Sequence, residues 1–145
     1  MNMNIMNVDY STKIPNNVDL SLNSSNASVT YDGHGSSIER ITADGLELTF
    51  ATNHMAYFVL TLALLDRVKA SAPARIVNTA SMTYASGRID FANLQSEKSF
   101  SGTSAYANSK LCNVLFTREL ARRLEGTGVT ANCFHPGFVA TRLGH

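Results

Sequence analysis

Cysteine is scarce in this chain: Cys112 and Cys133 are the only two among 145 residues. That excludes a disulfide scaffold, and with no C-x-x-C and no Cys/His cluster it offers no zinc site. Charge of one sign is also lacking. Twelve Lys and Arg stand against eleven Asp and Glu, a formal net charge of +1. No electrostatic footprint for nucleic acid or an anionic membrane follows from that balance. The longest apolar run, Met55–Leu65, is 11 residues with Thr61 inside it, against about 20 for a membrane-spanning helix. Met1–Tyr10 has no basic flank and no apolar core, so no secretory signal is expected. These absences predict a soluble, cytoplasmic chain with no membrane span and no nucleic-acid partner. A G-x-S-x-G elbow is missing, which argues against a serine hydrolase. Two N-x-S sequons, at Asn23 and Asn26, lie in Ser-rich text with no secretory signal, and glycosylation is not expected there.

What is present is a globular composition, 44% apolar and 16% charged, in a length suited to one domain with a real core. The text divides near residue 40. Residues 1–40 are an atypical segment dominated by Asn and Ser, with short alternations at Val18–Leu22 and Val29–Tyr31 and otherwise loop-like. From Ile41 the pattern is strong. Asp44-Gly-Leu-Glu47 reads as a capping box. Ala51, Met55, Phe58, Leu62 and Leu65 then recur at steps of three and four, one face of a long helix that Pro73 closes. The expected elements are a helix over 43–71, a strand over 75–79, a long loop over 82–103, a helix over 104–125 ended by Gly126, and a strand over 129–134. Helix, strand, helix, strand is the rhythm of a parallel α/β sheet with crossover helices. Ligands in such sheets bind at the carboxyl ends of the strands. Attention therefore falls on the residues just after Thr79 and Phe134.

Tyr106 and Lys110 stand four apart near the start of the second helix, one turn apart on one face. A phenol ordinarily titrates near 10, and an adjacent ammonium favours its ionised form, which makes a Tyr usable as an acid or base. Ser81 follows the first strand at the sheet's carboxyl edge, where its hydroxyl can bond a substrate oxygen. Asn53 lies mid-helix, a position where its amide needs partners. Pro136-Gly137-Phe-Val-Ala-Thr141 leaves the second strand as a loop. His54 and His135 lie on different elements without clustered carboxylates and read as framework residues, not metal ligands.

Taken in order, these residues resemble the short-chain dehydrogenase/reductase superfamily. The blocks Thr42-Ala-Asp-Gly-Leu-Glu47, Asn53-His54, Arg75-Ile-Val-Asn78, Tyr106-Ala-Asn-Ser-Lys-Leu-Cys-Asn113 and His135-Pro-Gly137 are similar to its retinol-dehydrogenase-like branch, and the likeness covers residues 41–145. The resemblance implies a partial Rossmann-like doubly wound parallel sheet, the C-terminal half of such a domain, and hydride transfer between NAD or NADP and an alcohol or carbonyl. It implies Asn53, Ser81, Tyr106 and Lys110 as the catalytic set. Tyr106 is then the proton donor, Lys110 the group that lowers the phenol's pKa and binds the ribose hydroxyls, Ser81 the residue that orients the carbonyl, and Asn53 the holder of a relay water. It further implies Tyr106, Lys110, Pro136, Gly137, Val139 and Thr141 as the cofactor-binding set. The family's opening strand and glycine-rich phosphate turn are not found. Gly33-His-Gly35-Ser-Ser-Ile38 is a lone G-x-G with Ile at the third glycine position. The chain alone is therefore not expected to retain NAD(P)H at sub-millimolar concentration. Micromolar binding in a calorimetric titration would contradict that expectation. Two function classes remain: an oxidoreductase, and a relative without dinucleotide binding that acts as an oligomerisation module through helices 43–71 and 104–125.

Overall fold

The computed structural model describes residues 41–137. The segment 1–40, with Val18–Leu22, Val29–Tyr31 and Gly33–Ile38, lies outside the described residues, as do Val139 and Thr141. Within them the order is helix α1 (Leu48–Ala70), strand β1 (Ala74–Thr79), a short 3₁₀ turn (Met82–Ser86), helix α2 (Gly102–Arg123) and strand β2 (Val129–Phe134). The two strands pair in parallel, from Ala74 opposite Val129 to Thr79 opposite Phe134. One further bond, Ala80 N–H to Phe134 O at 2.7 Å, continues the ladder past the strand end. Both strands thus finish at one edge, and Ser81 and His135–Gly137 leave the sheet side by side. This is a short piece of a Rossmann-like parallel sheet.

The first helix starts five residues later than the capping-box reading places it. Gly45 has φ +79°, a left-handed conformation that ends any helical run through Asp44. Thr42–Leu46 instead closes a turn, with Gly45 N–H on Thr42 O and Thr42 N–H on Leu46 O. Glu47 is the cap: its carboxylate accepts from Thr49 N–H at 2.8 Å and Phe50 N–H at 2.7 Å. Inside α1, Ala51–Met55 winds as a π-helix. By length and composition α1 is apolar enough to cross a membrane, which a count of the uninterrupted run Met55–Leu65 does not reveal. Its Asn53 and His54 side chains are bonded to α2.

The core sits where the ends of α1 and α2 meet the sheet. Leu120, Leu124, Val129 and Ala131 are buried together, with Leu65, Val68, Ile76 and Phe116 packed around them. Leu115, on α2, is 45% exposed.

The expected loop 82–103 begins as the 3₁₀ turn, because Ser81 Oγ accepts Thr83 N–H and caps it. Gly87 ends that turn against α2. A methyl group there would lie 2.8 Å from Ala107 O and 3.0 Å from Leu111 Cβ, closer than real side chains pack. Gly87→Ala is therefore expected to destabilise the fold by about 1–3 kcal/mol through overpacking and to push the Ser81 segment off the helix. An unchanged urea midpoint would contradict this close approach.

Candidate active site

The Tyr106–Lys110 turn lies in α2, whose first turn is capped by Ser101 Oγ accepting from Ser104 N–H. Lys110 is buried, at 9% exposure. Its Nζ lies 5.6 Å from the centre of the Tyr106 ring, within reach of a cation–π contact. The same ammonium donates to Thr79 O at 3.4 Å, at the carboxyl end of β1. Burial holds the Lys110 pKa below its ordinary value. An ammonium has three donors, and one of Lys110's is used within the described chain.

Ser81 stands two residues beyond Thr79. Its Oγ accepts from Thr83 N–H at 3.3 Å and from Thr83 Oγ1–H at 3.0 Å. Both bonds take the oxygen as acceptor, so its own O–H is left to donate outward. Among the described residues it makes no hydrogen bond to Tyr106. Asn108, between Tyr106 and Lys110, accepts Arg88 N–H at 2.7 Å and ties the far end of the Ser81 segment to α2.

Asn53 reaches the same turn by another route. Its Nδ2 donates to Ser109 Oγ at 3.1 Å, and Ser109 Oγ–H donates to Tyr106 O at 2.7 Å. Asn53 is therefore joined to the Tyr106–Lys110 turn through Ser109, not by a bond to Lys110 itself. Pro136 and Gly137 are exposed at the end of β2. Gly137 has φ +74°, and its N–H donates to His135 Nδ1 at 3.3 Å.

Beneath the site runs a buried polar chain. Asn78 Nδ2 donates to Thr117 Oγ1 at 2.8 Å, and Thr117 Oγ1–H donates to Asn113 O at 2.7 Å. Asn113 Nδ2 donates to Asn53 O at 2.8 Å, and its Oδ1 faces His54 Nδ1 at 3.0 Å. Because Nδ2 is committed to a carbonyl, Oδ1 is an acceptor, and His54 Nδ1 must carry the ring proton. Ser109, Asn113 and Thr117 are not among the residues that the sequence singles out. The signal available for them is their spacing of four, a polar stripe along α2.

His54 packs against Phe50, Phe58 and Phe116, with ring centres 5.3–6.3 Å apart. That burial lowers its pKa below 6.5, and the bond to Asn113 only partly opposes the effect. As pH falls through about 6.5 the unfolded chain takes up the proton before the folded one does, so stability falls with pH in that window. The urea midpoint is expected to drop between about pH 7 and about pH 5, and to drop less in His54→Gln. Equal slopes for the two proteins would refute the assignment.

A sequence model described as short chain dehydrogenase matches residues 16–145. The chain belongs to the short chain dehydrogenase family. Retinol dehydrogenase 12 of Homo sapiens is 56% identical over 102 residues, 70% of this chain and 32% of the relative. Retinol dehydrogenase 14 of Mus musculus is 54% identical over 103 residues, 71% of this chain and 31% of the relative. The chain thus spans about a third of the length of these curated relatives. Among solved structures, an uncharacterised protein from Mycobacterium paratuberculosis superimposes with a TM-score of 0.64 at 38% identity, over 76% of this chain and 41% of that one. A short chain dehydrogenase from Burkholderia cenocepacia in complex with NADP gives 0.50 at 29% identity, over 70% and 36%. The chain is retinol-dehydrogenase-like in sequence and carries part of a Rossmann-like fold.

Proposed function

We propose that this chain carries the carbonyl-handling half of an oxidoreductase that moves a hydride between NAD or NADP and a small-molecule alcohol or carbonyl. The observation that carries this reading is Lys110, a buried cation with no carboxylate partner among the described residues, set over the Tyr106 ring at the sheet's carboxyl edge. Two donors of Lys110 have no partner among the described residues and suit a ribose diol, and the Gly137 backbone lies at the same edge. Val139 and Thr141 join this cofactor set only as an expectation. The NADP held by the Burkholderia cenocepacia relative supports the class of cofactor and leaves the choice between NAD and NADP open.

A bound nicotinamide dinucleotide supplies the hydride in reduction and accepts it in oxidation. Tyr106 gives its phenolic proton to the carbonyl oxygen as the carbon is reduced, so that hydride and proton together make one alcohol. In the reverse direction Tyr106 takes that proton back. Lys110 stabilises the negative charge left on the phenolic oxygen. Ser81 O–H donates to the same substrate oxygen and fixes its orientation. Asn53, held by Ser109, stands behind Lys110 as the relay position. Pairing of subunits through α1 and α2 belongs to the same reading, since Leu62 and Leu115 are each about half exposed.

A chimera tests this reading, with the matched 102-residue stretch replacing its counterpart in human retinol dehydrogenase 12. Reduced dinucleotide labelled with deuterium at the nicotinamide C4 is expected to deliver the label to the product's carbinol carbon. The hydroxyl proton is expected to come from water. A folded, dinucleotide-binding chimera that transfers no label would overturn the reading.

A further inference from the structure

Asn113 is wholly buried, at 0% exposure. A buried carboxamide needs both ends met by protein, because a buried donor or acceptor left unpaired opposes folding. Here both ends go to one helix. Nδ2–H donates to Asn53 O and Oδ1 accepts from His54 Nδ1–H. Those neighbours lie inside the π-helical stretch Ala51–Met55, where α1 departs from regular winding. Among the described residues no other α2 side chain hydrogen-bonds the main chain of this stretch. A π turn is rare, occurs mostly as a single-turn bulge inside an α-helix, and is frequent at functional sites. Losing the extra residue of that turn would rotate one half of the helix against the other by about 100°. Such a rotation would carry Asn53 away from Ser109.

We infer that Asn113 is a positioning residue: with a single amide it grips the Asn53 carbonyl and the His54 ring, holds the π turn, and so sets where Asn53 meets Ser109 and the Tyr106–Lys110 turn. The inference rests on the reading of Asn53 as a site residue. Asn113 touches no reacting atom and acts through Asn53.

Nitrogen NMR of the full 145-residue chain at neutral pH decides the matter. In the unaltered protein His54 is expected as the Nδ1–H tautomer, with a slowly exchanging ring proton, and the Asn53 side-chain amide shifted from free-amide values. In Asn113→Leu the Nε2–H tautomer gains population and the Asn53 amide moves toward free values. Ser109→Ala releases the Asn53 amide and leaves the His54 tautomer in place. An Nε2–H tautomer in the unaltered protein would overturn the inference, and that spectrum stands even if Asn113→Leu does not fold. A folded Asn113→Leu with an unmoved Asn53 amide would overturn it as well. Failure of the hydride-transfer reading would appear in the labelling experiment and leave these spectra as they are.

Discussion

Tyr106→Phe is expected to lower turnover in the retinol dehydrogenase chimera by at least about 10²-fold, with folding and dinucleotide binding retained. The substitution removes one hydroxyl and keeps the ring beneath Lys110 Nζ. That hydroxyl makes no hydrogen bond among the described residues, so its loss breaks no bond of the fold. What disappears is the proton that completes the alcohol. A water molecule admitted to the same place would be a poorer donor, because it lacks a fixed position relative to the carbonyl. Steady-state rates at saturating substrate read the effect directly. Turnover within a few-fold of the unaltered chimera would remove Tyr106 from the chemistry.

Lys110→Met is expected to separate activity from stability. The ammonium is buried, and burial pushes its pKa down. The salt bridges among the described residues join Glu119 to Arg122 and Arg123 on the helix surface, and none compensates Lys110. A buried ion without a counter-charge opposes folding. A methionine of similar length removes that cost and loses the 3.4 Å bond to Thr79 O and the 5.6 Å contact of the charge with the Tyr106 ring. Thermal stability should therefore hold or rise, whereas turnover in the chimera should fall by about 10²-fold or more as the charge beside Tyr106 is lost. The opposite pattern, a less stable protein with full turnover, would make Lys110 a structural residue. Conflict between local stability and a retained group is the mark of a site kept for function.

Much of this arrangement was legible in the amino-acid order. Strand β2 and the body of both helices follow from alternation and three-to-four spacing, and β1 begins one residue earlier than expected. Parallel pairing followed from the helix between the strands. Asp44 misled because the capping-box pattern ignores Gly45, whose left-handed backbone breaks the helix, so that Glu47 caps in its place. The π turn at Asn53 has no local signature. It depends on Asn113, 60 residues away in sequence. The Ser109, Asn113 and Thr117 stripe was readable as a period but not as a network, since its partners Asn53, His54 and Asn78 come from two other elements. Long-range hydrogen bonds of this kind are set by packing, which a single sequence does not display.

A crystal structure of the chimera bound to reduced dinucleotide and a carbonyl substrate analogue would show directly whether Tyr106 and Ser81 share one substrate oxygen. One substrate oxygen is expected within hydrogen-bond reach, about 2.6–3.2 Å, of both Tyr106 Oη and Ser81 Oγ, with Lys110 Nζ on the ribose hydroxyls. Tyr106 and Ser81 hydroxyls directed to opposite faces of the sheet, with no atom shared between them, would contradict it.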